Sequence, residues 1–128
     1  MRILLDTHIL IWSFYRSSRL RAPVRAQIED PANAIFFSAA SLWEIAIKAA
    51  LERPDFDVDP DRLLEEAIKA GFTELPITSR LAITVRDLPF HHTDPFDRLL
   101  VAQALAEPCI LLTADRTLQP YSDLVRLV

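Results

Sequence analysis

The sequence predicts an α/β fold in which helices cover a parallel sheet. Three observations carry that expectation. Short apolar runs alternate along the chain with longer segments of helical period. Ile3–Leu5, Ile35–Phe37 and Cys109–Leu112 are apolar without interruption, the pattern of strands buried on both faces. Two of the helical segments open on Asp-Pro, an N-cap followed by proline at the first helical position. Strands alternating with helices favour a parallel sheet.

In chain order, Ile3–Leu5 is the first expected strand and ends at Asp6. Ile9–Trp12, extended by Phe14 and Tyr15, carries more apolar surface than one helix face needs, and reads equally as core or as part of an interface. The strand Ile35–Phe37 precedes a helix over 39–51 that is apolar nearly all round. Leu42, Ile45, Ala46 and Ala49 lie on one face and Trp43, Ile47 and Ala50 on another, which predicts burial on several sides. Residues 53–60 form an irregular connection. The next helix, over 59–70, opens at Asp59-Pro60, gathers Leu63, Leu64, Ala67 and Ile68 on one side, and stops at Gly71, the only glycine. A short strand is expected near Thr73–Ile77. The helix over 94–106 opens at Asp94-Pro95 and repeats Phe96, Leu99, Leu100 and Ala104 at helical spacing. Cys109–Leu112 and Leu124–Val128 read as the last strands.

At 128 residues, 51% of them apolar, the chain can bury one core, so residues 1–128 are expected to form a single domain. No apolar run approaches the roughly 20 residues of a membrane span. The acid in MRILLDTH interrupts what a signal peptide would keep apolar, and a soluble, cytoplasmic protein is expected. The single cysteine, Cys109, reads as a small buried hydrophobe. A net charge of −4 argues against a nucleic-acid partner only if the charge is evenly spread. It is not. Residues 7–28 hold Arg16, Arg19, Arg21 and Arg25 and no acid, whereas residues 52–66 hold seven acids and two arginines. The arginine cluster reads by default as a solvated helix face.

Four distant acids are brought together by the predicted topology. In a parallel sheet every strand ends and every following helix begins on one edge. Asp6 follows the first strand, Asp115 lies just beyond Thr113 at the end of CILLT, and Glu44 and Asp97 lie in the opening turns of their helices. Taken singly, each has a structural role: Ser41 to Glu44 matches a capping box, Glu44 can pair with Lys48, Asp94 and Asp97 suit a helix N-terminus, and Asp115 can cap a turn before Leu118. Independent caps have no reason to converge, whereas a metal site requires it. Carboxylates about 4 Å apart repel by about 4 kcal/mol per pair at an effective dielectric near 20, so protons or a cation must offset the charge. Oxygen-only donors favour magnesium or manganese over zinc, and such a site does phosphoryl chemistry. If the four acids hold a metal, 14 acids remain against 14 bases and the rest of the molecule is balanced.

These residues resemble those of PIN-domain ribonucleases, specifically the VapC-type toxins of bacterial toxin-antitoxin systems. LLDTHILIW resembles the first family motif and supplies Asp6, SLWEIAIK the second and Glu44, DPFDRLLVAQA the third and Asp97, and LLTAD the fourth and Asp115. The resemblance spans nearly the whole chain. It implies a three-layer α/β/α sandwich with a central parallel sheet, and Mg2+- or Mn2+-dependent endoribonuclease activity leaving 5′-phosphate and 3′-hydroxyl ends. It assigns Asp6 and Asp97 as primary metal ligands, completed by Glu44 and Asp115. It also implies a homodimer and a cognate antitoxin that inhibits the enzyme.

Of the two acids in DPFD, Asp94 is assigned to the cap and Asp97 to the metal. Thr7 and Thr113 adjoin two of the acids and are expected at buried strand ends, with a part in orienting water as the lesser alternative. His91 and His92 are expected as an exposed loop pair rather than as zinc ligands, with phosphate contact as the lesser alternative. Arg98 and Lys48 are expected in surface ion pairs. A receiver-like regulatory domain and a non-catalytic binding module are the rival classes on a parallel α/β fold. A receiver fits poorly, since it wants paired acids after the first strand.

Overall fold

The computed structural model describes residues 1–128. Its sheet contains β1 (Arg2–Leu5), β2 (Ala34–Ser38), β3 (Thr73–Leu75), β4 (Ile110–Thr113) and β5 (Val125–Leu127). All four pairings are parallel and the order is β3-β2-β1-β4-β5. Every expected strand is therefore present, with ends moved by one or two residues; the segment at Thr73 forms one edge. The helices are α1 (Thr7–Phe14), α2 (Ala22–Glu29), α3 (Ala39–Ala50), α4 (Pro60–Lys69), α5 (Ser79–Thr84) and α6 (Pro95–Ala106). None is long and apolar enough to cross a membrane.

Successive strand side chains point to opposite faces, and the chain uses both. Ile3 and Leu5 of β1 join Ile9, Leu10, Val24, Ile45 and Leu63 from α1 to α4 in one core. Leu4 points the other way, into a second core with Leu100, Val101 and Ala104 of α6 and Leu118. A three-layer α/β/α sandwich results. Connections on the β2 and β3 side of β1 run over the first face, and those leading to β4 and β5 run over the second. The winding reverses between β1 and β4, and such a switch point leaves a crevice at the carboxyl ends of the two strands.

Several ends follow the expected chemistry. Asp59 and Asp94 cap α4 and α6 ahead of proline. Gly71 closes α4 with φ +86°, while its amide and that of Phe72 reach back to the Ile68 and Ala67 carbonyls in a Schellman closure. Cys109 is buried, as expected, and burial pushes its thiol up to about 11. Ile9, Leu10 and Ile11 are core; Trp12, Phe14 and Tyr15 pack at its margin.

The helix over 39–51 departs from expectation. It is not buried on several sides: Trp43, Ile47 and Leu51 are 60%, 42% and 55% exposed, while Ser41 and Glu44 are buried. Nor does Ser41 begin a capping box. The cap is Ser38, whose hydroxyl oxygen accepts the Ala40 amide, because α3 begins at Ala39 and Ser41 already lies within its first turn. Ser41 and Glu44 are thereby released for contacts across the molecule.

Candidate metal centre

Asp6 ends β1 and caps α1. One carboxylate oxygen accepts the Ile9 amide at 3.0 Å, and the other accepts the Thr113 hydroxyl. The register explains that meeting: Leu5 pairs with Leu112, so the next residues lie side by side. Thr113 also takes the Asp115 amide on its hydroxyl oxygen at 3.0 Å. One buried threonine thus ties the end of β1 to the turn after β4. Asp115 caps the 3-10 turn Arg116–Tyr121, with Oδ1 accepting the Thr117 amide at 2.9 Å and hydroxyl at 2.6 Å. Its Oδ2 is left facing the cleft.

Glu44 approaches from α3. The Thr7 hydroxyl donates to Oε1 at 2.9 Å and lies 2.9 Å from the Ser41 hydroxyl, while Lys48 stands 3.0 Å from Oε2. The expected pairing with Lys48 is present. Asp97 is the third residue of α6. Asp94 Oδ1 accepts the amides of Phe96 at 2.8 Å and Asp97 at 3.2 Å, which leaves the Asp97 carboxylate out of the cap. Asp6, Asp97 and Asp115 line one cleft of about 400 Å³, together with His8, Trp12 and Arg19. Glu44 sits behind them, close enough to Asp6 and Asp97 for its charge to raise both. Four acids separated by up to 109 residues therefore converge at the switch point.

The family model of the PIN domain matches residues 3–123. This chain belongs to the PIN-domain family. The PIN domain is 31% identical over 120 residues to Ribonuclease VapC22 of Mycobacterium tuberculosis, a match covering 93% of this chain and 91% of that relative. A chain of VapBC2 from Rickettsia felis, solved bound to a DNA fragment from their promoter, shares the fold with a TM-score of 0.73 at 15% identity; the match covers 100% of this chain and 98% of that one. The resemblance read from the four motifs, and the sandwich it implied, are borne out. A receiver-like domain is not.

Electrostatics divide the four acids of the PIN domain. Burial raises Asp6 above the ordinary carboxylate value, opposed by the hydrogen bonds from Thr113 and Ile9. Burial, reinforced by Asp94, Asp6 and Glu44, lifts Asp97 to about 7. At Asp115 burial is the largest single influence and raises the carboxyl, but the Thr117 hydroxyl and amide and His92 together outweigh it, so that carboxyl falls below its usual value. Asp97 alone accepts no amide or hydroxyl hydrogen bond.

His92 is the residue that sequence reasoning misplaced. It is not an exposed loop histidine: its Nε2 lies 3.1 Å from Asp115 Oδ2 and 3.5 Å from Asp97 Oδ2. The facing atoms of these three side chains all lie within 4.8 Å of one another. The Asp94 amide donates to Nδ1 at 2.9 Å, which places the ring proton on Nε2, facing the carboxylates. So oriented, His92 is a donor to the acids and not a ligand, and the donor set stays all oxygen. That set, with the uncompensated charge at Asp97, fits a hard divalent cation better than zinc. His91, by contrast, is exposed and packs edge-on to Tyr121, with ring centres 4.9 Å apart.

Arg98 is a second correction. It forms no surface ion pair and is only 5% exposed. Its guanidinium donates to the carbonyls of Pro89 and Val85 at 2.9 and 3.0 Å, to the Tyr121 hydroxyl at 3.1 Å and to Leu88 at 3.3 Å, and it covers the Phe90 ring. It fastens the 85–92 loop that delivers His92. Sequence offered one signal for this, an arginine one residue after a candidate ligand inside an apolar helix.

Proposed function

We propose that residues 1–128 act as one PIN domain, a metal-dependent endoribonuclease serving as the toxin of a toxin-antitoxin pair and inhibited by a cognate antitoxin. One observation carries the reading: three motif acids of a PIN-family chain line one cleft with the fourth, Glu44, close behind them, and a relative 31% identical over nearly its full length is named a ribonuclease. The partner in the similar VapBC2 assembly supports the antitoxin.

In this reading Asp6 and Asp97 hold Mg2+ or Mn2+, and Glu44 and Asp115 complete the set directly or through water. The bound cation supplies activation of water and neutralises charge gathering on the phosphoryl oxygens. The chain's own groups do the rest. Asp97, which accepts no amide or hydroxyl hydrogen bond, is the carboxylate whose charge the protein itself offsets least. Thr113 fixes one carboxylate oxygen of Asp6 and the backbone of Asp115, and Lys48 with Thr7 keeps Glu44 aimed. His92 Nε2–H orients Asp115 or a phosphate oxygen. Hydrolysis by attack of water on phosphorus leaves 5′-phosphate and 3′-hydroxyl ends. The setting is cytoplasmic, and the active form is a homodimer.

The test is cleavage of an end-labelled structured RNA by purified, antitoxin-free protein with magnesium, manganese or chelator, alongside Asp6→Asn and Asp97→Asn. Metal-dependent cuts with 5′-phosphate ends, lost in both variants, are expected. Cleavage that persists in chelator or in the variants would remove the acidic cleft as its source. Failure to cut any class of RNA would favour a binding module.

A further inference from the structure

The four arginines between Arg16 and Arg25 do not share one environment. Arg16 stands 3.6 Å from Asp57. Arg25 turns inward and donates to the Ser17 and Leu20 carbonyls, bracing the 3-10 turn Ser17–Arg19. Arg19 and Arg21 are exposed and have no acidic partner. Arg19 lies over the Trp12 ring, 5.5 Å from its centre, and both line the cleft that holds Asp6, Asp97 and Asp115. A second cleft of about 400 Å³ shares Trp12, Arg19 and Ala114 with the first and continues to Arg21. A groove therefore leads from the carboxylates, along a tryptophan, to two unpaired guanidinium groups.

Resting on the nuclease reading above, we propose that Trp12, Arg19 and Arg21 form the subsite for the RNA strand flanking the scissile phosphate, and that it selects unpaired nucleotides. The charge pattern suits a polyanion: the carboxylates need a cation before they can face a phosphate, whereas Arg19 and Arg21 face one directly. Guanidinium groups contact phosphates with forked donors. The partly exposed Trp12 ring offers a face on which a base can stack, in alternation with Arg19. Stacking there requires a base out of its helix, so a paired A-form strand cannot use it. Selectivity for loops thus arises on α1 and the turn after it, away from the acids.

Binding is measured on the Asp97→Asn protein in chelator, using a fluorescent single-stranded RNA oligonucleotide and the same oligonucleotide annealed to its complement, across a salt series. Steady-state cleavage is measured on the otherwise wild-type protein with metal. Arg19→Ala with Arg21→Ala is expected to raise KM and weaken single-strand binding roughly tenfold, and to lower the salt slope by about 0.7 for each phosphate no longer neutralised. Trp12→Leu is expected to cost roughly tenfold in single-strand binding and to erase the preference over duplex. Trp12 also packs against the core, so melting curves accompany it; the exposed arginines test the charge without that complication. Arg16→Ala removes one positive charge of the same cluster, from a residue paired with Asp57, and should leave KM unchanged. Unchanged KM and salt slope in the double variant, with wild-type cleavage intact, would overturn the subsite and leave the nuclease reading standing. Lost affinity for polyglutamate with RNA binding untouched would also overturn it, assigning the groove to an acidic polypeptide. Wild-type protein that neither binds nor cuts RNA would instead remove the reading beneath it.

Discussion

Asp97 carries the least compensated charge in the cleft. Asp6 takes hydrogen bonds from Ile9 and Thr113, Asp115 from Thr117 and His92, and Glu44 from Thr7, whereas the nearest donor to Asp97 is His92 Nε2 at 3.5 Å. Its folded carboxyl, lifted by burial and by Asp94, Asp6 and Glu44 from the ordinary 3.8 to about 7, keeps a proton that the unfolded chain has already released. The folded state therefore binds more protons across that window, and stability present below the ordinary carboxylate value is lost as pH rises through about 7. Asp6 acts in the same direction. Melting of metal-free protein is expected to fall from about pH 5 to about pH 8, and Asp97→Asn to flatten that fall and raise Tm at the upper end by about 5 °C. A pH-independent Tm in the wild type would contradict this account. At the residue scale the acids were legible, because each stands beside a recognisable strand end or helix start. His92 was not, since its place depends on Arg98 and Tyr121, and no local pattern encodes a bond between Nδ1 and the amide two residues on.

α6 does two things with neighbouring side chains. Asp97 projects from its first turn into the cleft, and Arg98 turns into the protein and gathers the loop before the helix. A buried guanidinium without a carboxylate is tolerated here because carbonyl and hydroxyl oxygens surround it. Arg98→Met preserves much of the stem but strands those carbonyls, at a cost of about 3 kcal/mol in urea denaturation. Faster amide exchange confined to residues 85–92 should accompany the loss. A loop that keeps its protection in that variant would show that other contacts hold it. The caps at Asp59 and Asp94 and the stop at Gly71 were legible, because capping is a local reaction between a side chain and the adjacent amides. The burial of α3 was not: apolar residues all round state that a helix seeks cover, but not whether the same chain supplies it.

The molecule as a whole leaves that cover unsupplied on one side. Trp43, Ile47 and Leu51 recur every fourth residue along α3, and Trp43 packs edge-on to Phe96 with ring centres 5.1 Å apart, extending the stripe to the start of α6. A homodimer that buries this stripe would be converted to monomer in sedimentation by Trp43→Arg, with the monomer keeping its fold by circular dichroism. A variant that sediments as the wild type does would place the interface elsewhere. The alternation of strands and helices sufficed for a parallel sheet; strand order did not follow from it, because order is set by which helices cover which face. That order has a consequence in time. β1 is made before the other four strands of the sheet, yet it lies between β2 and β4, and Asp6 meets Thr113 and Asp115 only across the β4 edge. Until residues 110–115 have been made, the nascent chain carries Asp6, Glu44 and Asp97 without Thr113 and Asp115, which complete the cleft. A protein proposed to destroy RNA is thus assembled so that its centre closes only once the strand furthest along the chain from Asp6 that touches it, and the turn after that strand, have been made.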